Sequence, residues 1–265
     1  FGGLLAGLGL RYIGLALRQS ICLGVSAIVG TIVPAVMQDK IALLFTTASG
    51  AVILTGFIIC IAGVACCGYA GILKDRMLSD ADKRASVKEF SAFKGFIMAL
   101  MGGVLSACMA FAITAGAPIA RQAAQMGTDA VFVNIPIFVL ALAGGFTSNL
   151  IYNLITSFKN KTFGDYIITS RKTLARNYFL AFLSGLMWYG QFFFYGMGAT
   201  KMGQYDFASW SIHMASIIIF SNLWGVVLKE WKAVSKKTLF YLWLGIIALI
   251  LSVVLIGAGN NMAGI

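Results

Sequence analysis

The chain has 265 residues, of which 60% are hydrophobic and 11% charged, with a formal net charge of +11 and a mean hydropathy of +0.89. A soluble globular domain is nearer half apolar and a quarter charged, so these values exclude an ordinary soluble enzyme or binding module. The apolar residues fall in long runs, and a run of roughly 18 or more suits a hydrocarbon layer about 30 Å thick. There every backbone N–H and C=O must be satisfied within the protein, which leaves helices or closed barrels. Barrel strands alternate apolar and polar residues and these runs do not. The expected fold class is therefore all-α, a polytopic helical membrane bundle.

In chain order, eight spans are predicted. Helix a covers 1–17, helix b 20–37, helix c 48–73 and helix d 95–115. Helix e covers 130–157, helix f 178–198, helix g 207–228 and helix h 239–258. The first residue is Phe1, already inside an apolar run. This reads as a missing N-terminus, with the chain expected to be a fragment of a longer one. Helix a is short, as a truncated first span should be, while helices c and e are long enough to tilt.

Charge orients the bundle. The c–d connection carries Lys74, Arg76, Lys83, Arg84, Lys88 and Lys94. The e–f connection carries Lys159, Lys161, Arg171, Lys172 and Arg176, and the g–h connection carries Lys229, Lys232, Lys236 and Lys237. The a–b turn adds Arg18, whereas the opposite side has Lys40, Arg121 and Lys201. Basic loops are retained in the cytoplasm, so the rich side is expected inside and the C-terminus outside. Basic loops beside an anionic inner leaflet also account for the net charge, and no nucleic-acid partner is needed.

The mixed-charge stretch 74–94 is the expected cytoplasmic linker between two parts, a three-helix part over 1–73 and a five-helix part over 95–265. Many transporters consist of two equal halves with opposite membrane orientation. Two further helices before helix a would make ten spans, two inverted five-helix repeats with the first one truncated here.

Catalytic and metal chemistry find no support. Cys22, Cys60, Cys66, Cys67 and Cys108 all sit in apolar runs, without a C-x-x-C or a nearby histidine, and read as small packing residues. There is no H-E-x-x-H and no Walker loop, and the chain has a single histidine. An enzyme active site would gather several ionisable residues at one depth. The expectation is a non-enzyme with no metal and no cofactor.

Small residues spaced by three or four let helices approach closely: Gly3 with Gly7, Gly24 with Ala27, Gly102 with Ser106, and Gly144 with Ser148. Gly30 and Pro34 in helix b and Pro136 in helix e are either packing residues or helix breaks beside a cavity.

Ionisable groups within spans are costly and so draw a functional reading. Arg11 lies in helix a. Asp206 and His213 are seven apart near the start of helix g and share a face, with Trp210 between them. His213 is either a buried residue hydrogen-bonded across an interface or a proton-binding group, since imidazole titrates near physiological pH. Asp206 is either its partner in proton coupling or a helix cap. On helix f, Trp188, Gln191, Phe192 and Tyr195 form one aromatic and amide face. Rings and amides together suit a sugar, whose C–H faces stack while its hydroxyls hydrogen-bond. Asn149 and Asn153 in helix e, and Asn222 in helix g, offer further polar groups. The residues alone point to a cavity for a small polar solute.

The text of helices f and g is GLMWYGQFFFYGMG from Gly185 to Gly198, QYDFASWSIHM from Gln204 to Met214, and GVVLKEW from Gly225 to Trp231. With AGILKDRML from Ala70 to Leu78 and KGFIMALMGGVLSACMAFA from Lys94 to Ala112, this resembles the bacterial L-rhamnose–proton symporter family of the drug/metabolite transporter superfamily. The resemblance extends over essentially the whole chain and is most specific at helices f and g. It implies ten spans in the bacterial inner membrane and import of L-rhamnose with a proton.

On this reading rhamnose sits between Trp188, Gln191, Phe192 and Tyr195 of helix f and the stripe containing Trp210 on helix g. Asn149 and Asn153 are further sugar contacts, and His213 or Asp206 binds the proton. The expected partners are the sugar, the proton and the lipid bilayer. The alternatives are a related sugar or metabolite carrier, sodium-coupled or not, and a non-transporting membrane sensor or assembly subunit.

Overall fold

The computed structural model describes residues 15–77, 92–167, 170–232 and 234–264. Among them the long elements are all α-helices. They are α1 (Leu15–Met37), the short α2 (Leu43–Thr46), α3 (Ala48–Arg76), α4 (Ala92–Ala115), the short α5 (Ala117–Gln125), α6 (Ile135–Asn160), α7 (Arg171–Ala199), α8 (Ser209–Val227) and α9 (Lys236–Met262). Two 3-10 turns, Phe163–Tyr166 and Gly203–Ala208, precede α7 and α8.

Among the described residues, six helical stretches are long and apolar enough to cross a membrane: Gln19–Met37, Ala48–Arg76, Phe93–Gln125, Ile135–Asn160, Gly203–Val227 and Lys236–Met262. The helix f expectation is realised as α7, whose 29 residues also suffice in length. Arg171, Lys172, Arg176, Asn177 and Gln191, with its Trp and Tyr residues, make it more polar than the other long helices.

Helix starts follow local chemistry. Thr47 caps α3, its Oγ1 accepting the N–H of Gly50 at 2.9 Å. Ser170 and Ser235 cap α7 and α9 in the same way, through the N–H groups of Thr173 and Thr238. Each satisfies one of the donors that a helix start leaves orphaned.

Three expectations need correction. Helix is continuous through residues 18 and 19, so the a–b turn expected there does not form; a lone Arg is a good helix former and no signal for a turn. The rest of helix a, with Arg11, Gly3 and Gly7, lies outside the described residues, as does most of the 74–94 linker. Nor do Gly30 and Pro34 break their helix, since α1 runs on to Met37. Pro136 stands in the first turn of α6, where its missing N–H costs nothing, and so begins a helix rather than interrupting one.

The chain forms two compact units: Phe1–Thr114 with Lys201–Ile265, and Ala115–Thr200. In the first, α3 and α9 pack most closely, because glycines line the seam. A Cβ on Gly63 would stand 2.9 Å from Leu249 Cγ and 3.1 Å from the Gly245 carbonyl. One on Gly56 would meet Ile256 Cγ1 at 2.7 Å, and one on Gly259 would meet the Ser49 carbonyl at 2.8 Å. Such close backbone approach recovers dispersion that lipid alone does not supply. Around the seam, Cys60, Cys67, Ile218, Ile219, Leu242 and Leu249 form the main core. A second cluster at the other end of α3 gathers Leu44, Ile53, Tyr205, Phe207 and Ile256.

In the second unit, Phe138 of α6 is fully buried and packs against Gly196 of α7. The Gly144–Ser148 pair, expected as a packing seam, has nothing within 4 Å of Gly144 in the described structure, and Ser148 bonds back to the carbonyls of Gly144 and Gly145.

Candidate functional site

In the first unit, the Gly203–Ala208 turn is held at three points. Tyr205 is fully buried, and its hydroxyl lies 2.9 Å from Thr47 Oγ1 and 2.7 Å from Ser49 Oγ at the start of α3. Asp206 accepts a 2.9 Å charge-assisted bond from Lys40 Nζ, and its Oδ1 also accepts the Phe207 N–H. Asn260 Nδ2 of α9 donates to the Lys201 carbonyl. The cap alternative for Asp206 is not realised: Ala208 precedes α8 and makes no side-chain cap bond.

One turn on, Trp210 is 3% exposed and donates its indole N–H to the Ser26 carbonyl of α1 at 3.0 Å. Gly30, one turn further along α1, clears space for that ring, since any Cβ there would strike the indole. His213 follows, its ring centroid 5.5 Å from that of Trp210. Asp206 and Trp210 thus both face α1 and the loop that leaves it. Ser26 and Thr31 of α1 bring buried hydroxyls that find no hydrogen-bond partner among the described residues, an uncommon condition for a buried polar group.

In the second unit, Phe192 and Tyr195 lie against Phe138, with centroids 5.9 and 6.3 Å away. Trp188 stands edge-on to Phe192 at 5.1 Å and remains 54% exposed. Gln191 is half-buried beside them. Three of the four helix f candidates therefore form one aromatic cluster organised by Phe138. Asn149 and Asn153 are exposed and about three and four turns along α6 from Phe138. Their amides donate to the carbonyls of Gly145 and Asn149 on their own helix, at 2.8 and 2.9 Å.

Over residues 1–263 the chain matches the family described as L-rhamnose-proton symport protein (RhaT). It belongs to that family. Among its relatives, the L-rhamnose-proton symporter of Yersinia pestis (strain Pestoides F) is 34% identical over 261 residues, which are 97% of this chain and 74% of the relative. The L-rhamnose-proton symporter of Pectobacterium atrosepticum is 35% identical over the same shares. No solved structure matches the chain. Membership of this symporter family, with the six long apolar helices, makes the chain a multi-pass membrane protein and a transporter rather than an enzyme.

Within this family member, three side chains that carried no role in the sequence reading prove central to the geometry. Lys40 was only a sparse charge on the less basic side, yet it holds Asp206. Phe138 was one apolar residue among many in helix e, yet the helix f aromatics converge on it. Lys74, at the end of α3, lies 3.4 Å from Glu230 and 4.6 Å from the centroid of the Trp231 ring. That last contact joins two of the family-matching segments, Ala70–Leu78 and Gly225–Trp231. The only available signal was that both segments carry charges next to a span.

Proposed function

We propose that this protein is a secondary active transporter that imports L-rhamnose together with a proton across a bacterial inner membrane. The observation that carries the reading is the family match over 1–263, with relatives at 34% and 35% identity that are named L-rhamnose-proton symporters. The sugar would stack on the cluster of Trp188, Phe192 and Tyr195, with Gln191 as a hydrogen-bonding neighbour. Asn149 and Asn153 would offer further polar groups to the sugar from the exposed surface of α6, and Trp210 stands over His213. The two candidate proton carriers are His213 and Asp206, the latter bonded to Lys40 and to the Phe207 N–H.

The described residues contribute seven of the proposed eight spans, the six apolar stretches and α7. The basic connections lie in the cytoplasm and the C-terminus outside. The parts over 1–73 and 95–265 are related by inversion, with 74–94 between them. The alternation of Lys and Arg between successive connections supports this.

The test is L-rhamnose-driven alkalinisation outside vesicles that contain the protein. Sugar uptake without proton movement would rule out coupling. His213→Gln is expected to retain sugar exchange and lose proton-driven accumulation; full pH-dependent accumulation by that variant would remove His213 from the mechanism.

A further inference from the structure

The inner ends of α1, α3 and α8 enclose a cavity of about 330 Å³ at the end of the first unit where Lys74 and Glu230 meet. This lies at the lower edge of the size range of small-molecule sites. Its wall differs from the apolar groove of about 420 Å³ along α1, α2 and α3, where carbon predominates and the polar side chains are the hydroxyls of Ser20, Thr31 and Ser211, with no charged group or amide. Here Gln19 and Ser20 of α1 face Ser221 and Asn222 of α8, and Trp231 supplies an aromatic wall.

Two carboxylates, Asp75 and Glu230, and one ammonium, Lys74, line the same space. Among the described residues the formal charge of the lining is therefore negative, which disfavours an anion. Lys74 is already engaged by Glu230 and by the Trp231 ring, so it is poorly placed to draw in a phosphate or carboxylate. Gly225 lets the indole close in, since a Cβ there would stand 2.8 Å from Trp231 Nε1. An aromatic wall, a carboxylate rim and side-chain amide and hydroxyl groups together suit a neutral, polyhydroxylated ring. The C–H face stacks on an indole while the hydroxyls donate to carboxylates and exchange bonds with amides.

We propose that this cavity is a second sugar subsite, separate from the Trp188 cluster, in which a monosaccharide is held against Trp231 with Glu230 as its polar contact; Asn222, whose amide donates to the Ile218 carbonyl at 2.8 Å, lines the wall. The proposal rests on the reading of this chain as a sugar transporter. The two sites then serve different stages: this one meets the solute at the end of the bundle that carries Lys74 and Lys229, and Lys74 ties the helix ends that form its rim.

The test is ligand protection in the reconstituted full chain. Asn222→Cys is labelled with N-ethylmaleimide, with and without L-rhamnose, and labelling at each cysteine is read by peptide mass spectrometry. The expected result is that L-rhamnose slows labelling at 222 by about fivefold or more and leaves native Cys108, which is exposed, unchanged. Inorganic phosphate should give no protection, and Trp231→Ala should abolish the protection by sugar. Ser221→Cys gives the same readout should Asn222→Cys misfold.

The proposal is overturned if neither L-rhamnose nor other hexoses protect, if phosphate protects in their place, or if protection survives Trp231→Ala. The last result would mean that the cavity closes in response to sugar bound elsewhere. Normal L-rhamnose uptake with no protection would sink the subsite and leave the transport reading intact. Protection by a different hexose, with no L-rhamnose uptake, would do the reverse.

Discussion

Lys40 and Asp206 stand 166 positions apart in sequence and are joined by a 2.9 Å ion pair. It lies beside the start of α3, and Lys74–Glu230 lies at the other end of the same helix. Twenty-nine residues of helix, roughly 43 Å at about 1.5 Å per residue, separate the two. The first unit is thus cross-linked by charge at both ends.

The Lys40–Asp206 pair is partly exposed, at 27% and 42% of its side-chain surface. Solvent screening limits the worth of such a pair to about 0–1 kcal/mol. Its removal is therefore expected to leave stability nearly unchanged and to alter transport. Lys40→Asp and Asp206→Lys should each impair sugar uptake, and the doubly reversed protein should recover much of it. A double-mutant cycle on uptake rate checks this; a reversed protein no better than either single variant would deny the pair a role in the cycle.

Tyr205 is a different case, because its hydroxyl is buried. It bonds to both Thr47 and Ser49, and Thr47 in turn caps α3. Tyr205→Phe removes two buried hydrogen bonds, while Thr47 keeps its bonds to the Leu43 carbonyl and the Gly50 N–H and Ser49 keeps its bond to Thr47, so the cost is about 0.5–1.5 kcal/mol for each bond lost. Thermal unfolding in detergent should show a clear drop in midpoint, and Tyr178→Phe, whose hydroxyl makes one exposed bond to the Tyr166 carbonyl, should show little.

Helix positions were legible because apolar runs of bilayer length mark them; Ser170 and Ser235 cap α7 and α9 earlier than those runs begin, at Arg171 and Lys236 rather than at 178 and 239. Partnership was not legible. Nothing near Lys40 in sequence announces Asp206, and nothing near Trp210 announces that its N–H is taken by Ser26. Of the helix g stripe, Trp210 and His213 stand side by side on α8 while Asp206 lies in the turn before it, and its neighbour, α1, is set by packing at long range. The closest helix seam was also overlooked, for a readable reason. Its small residues repeat at seven, as Gly56 and Gly63 on α3 and Gly245, Ser252 and Gly259 on α9, whereas spacings of three and four drew the attention. A spacing of seven is the repeat of a left-handed helix pair.

That seam yields a paired prediction. Gly63→Ala puts a methyl 3.1 Å from the Gly245 carbonyl, a backbone atom that cannot swing aside. Overpacking of this kind costs about 1–3 kcal/mol. Gly144→Ala meets nothing within 4 Å and removes a flexible residue from a helix interior, a gain of roughly 0.5–1 kcal/mol. Midpoints of thermal unfolding should move in opposite directions; a fall for both would place a packing partner against Gly144.

The aromatic cluster separates binding from folding. Phe138 has no exposed surface and supports both Phe192 and Tyr195, so Phe138→Ala should lower stability by about 3–5 kcal/mol and depress uptake through loss of folded protein. Trp188 touches Phe192 by an edge and is half open. Trp188→Ala should leave the unfolding midpoint within a degree or two and raise the half-saturating L-rhamnose concentration about tenfold or more, since a lost stacking contact of about 1.5 kcal/mol corresponds to that factor. Uptake kinetics measured beside unfolding curves decide the matter. An unchanged half-saturation in a well-folded Trp188→Ala protein would move the sugar away from this ring.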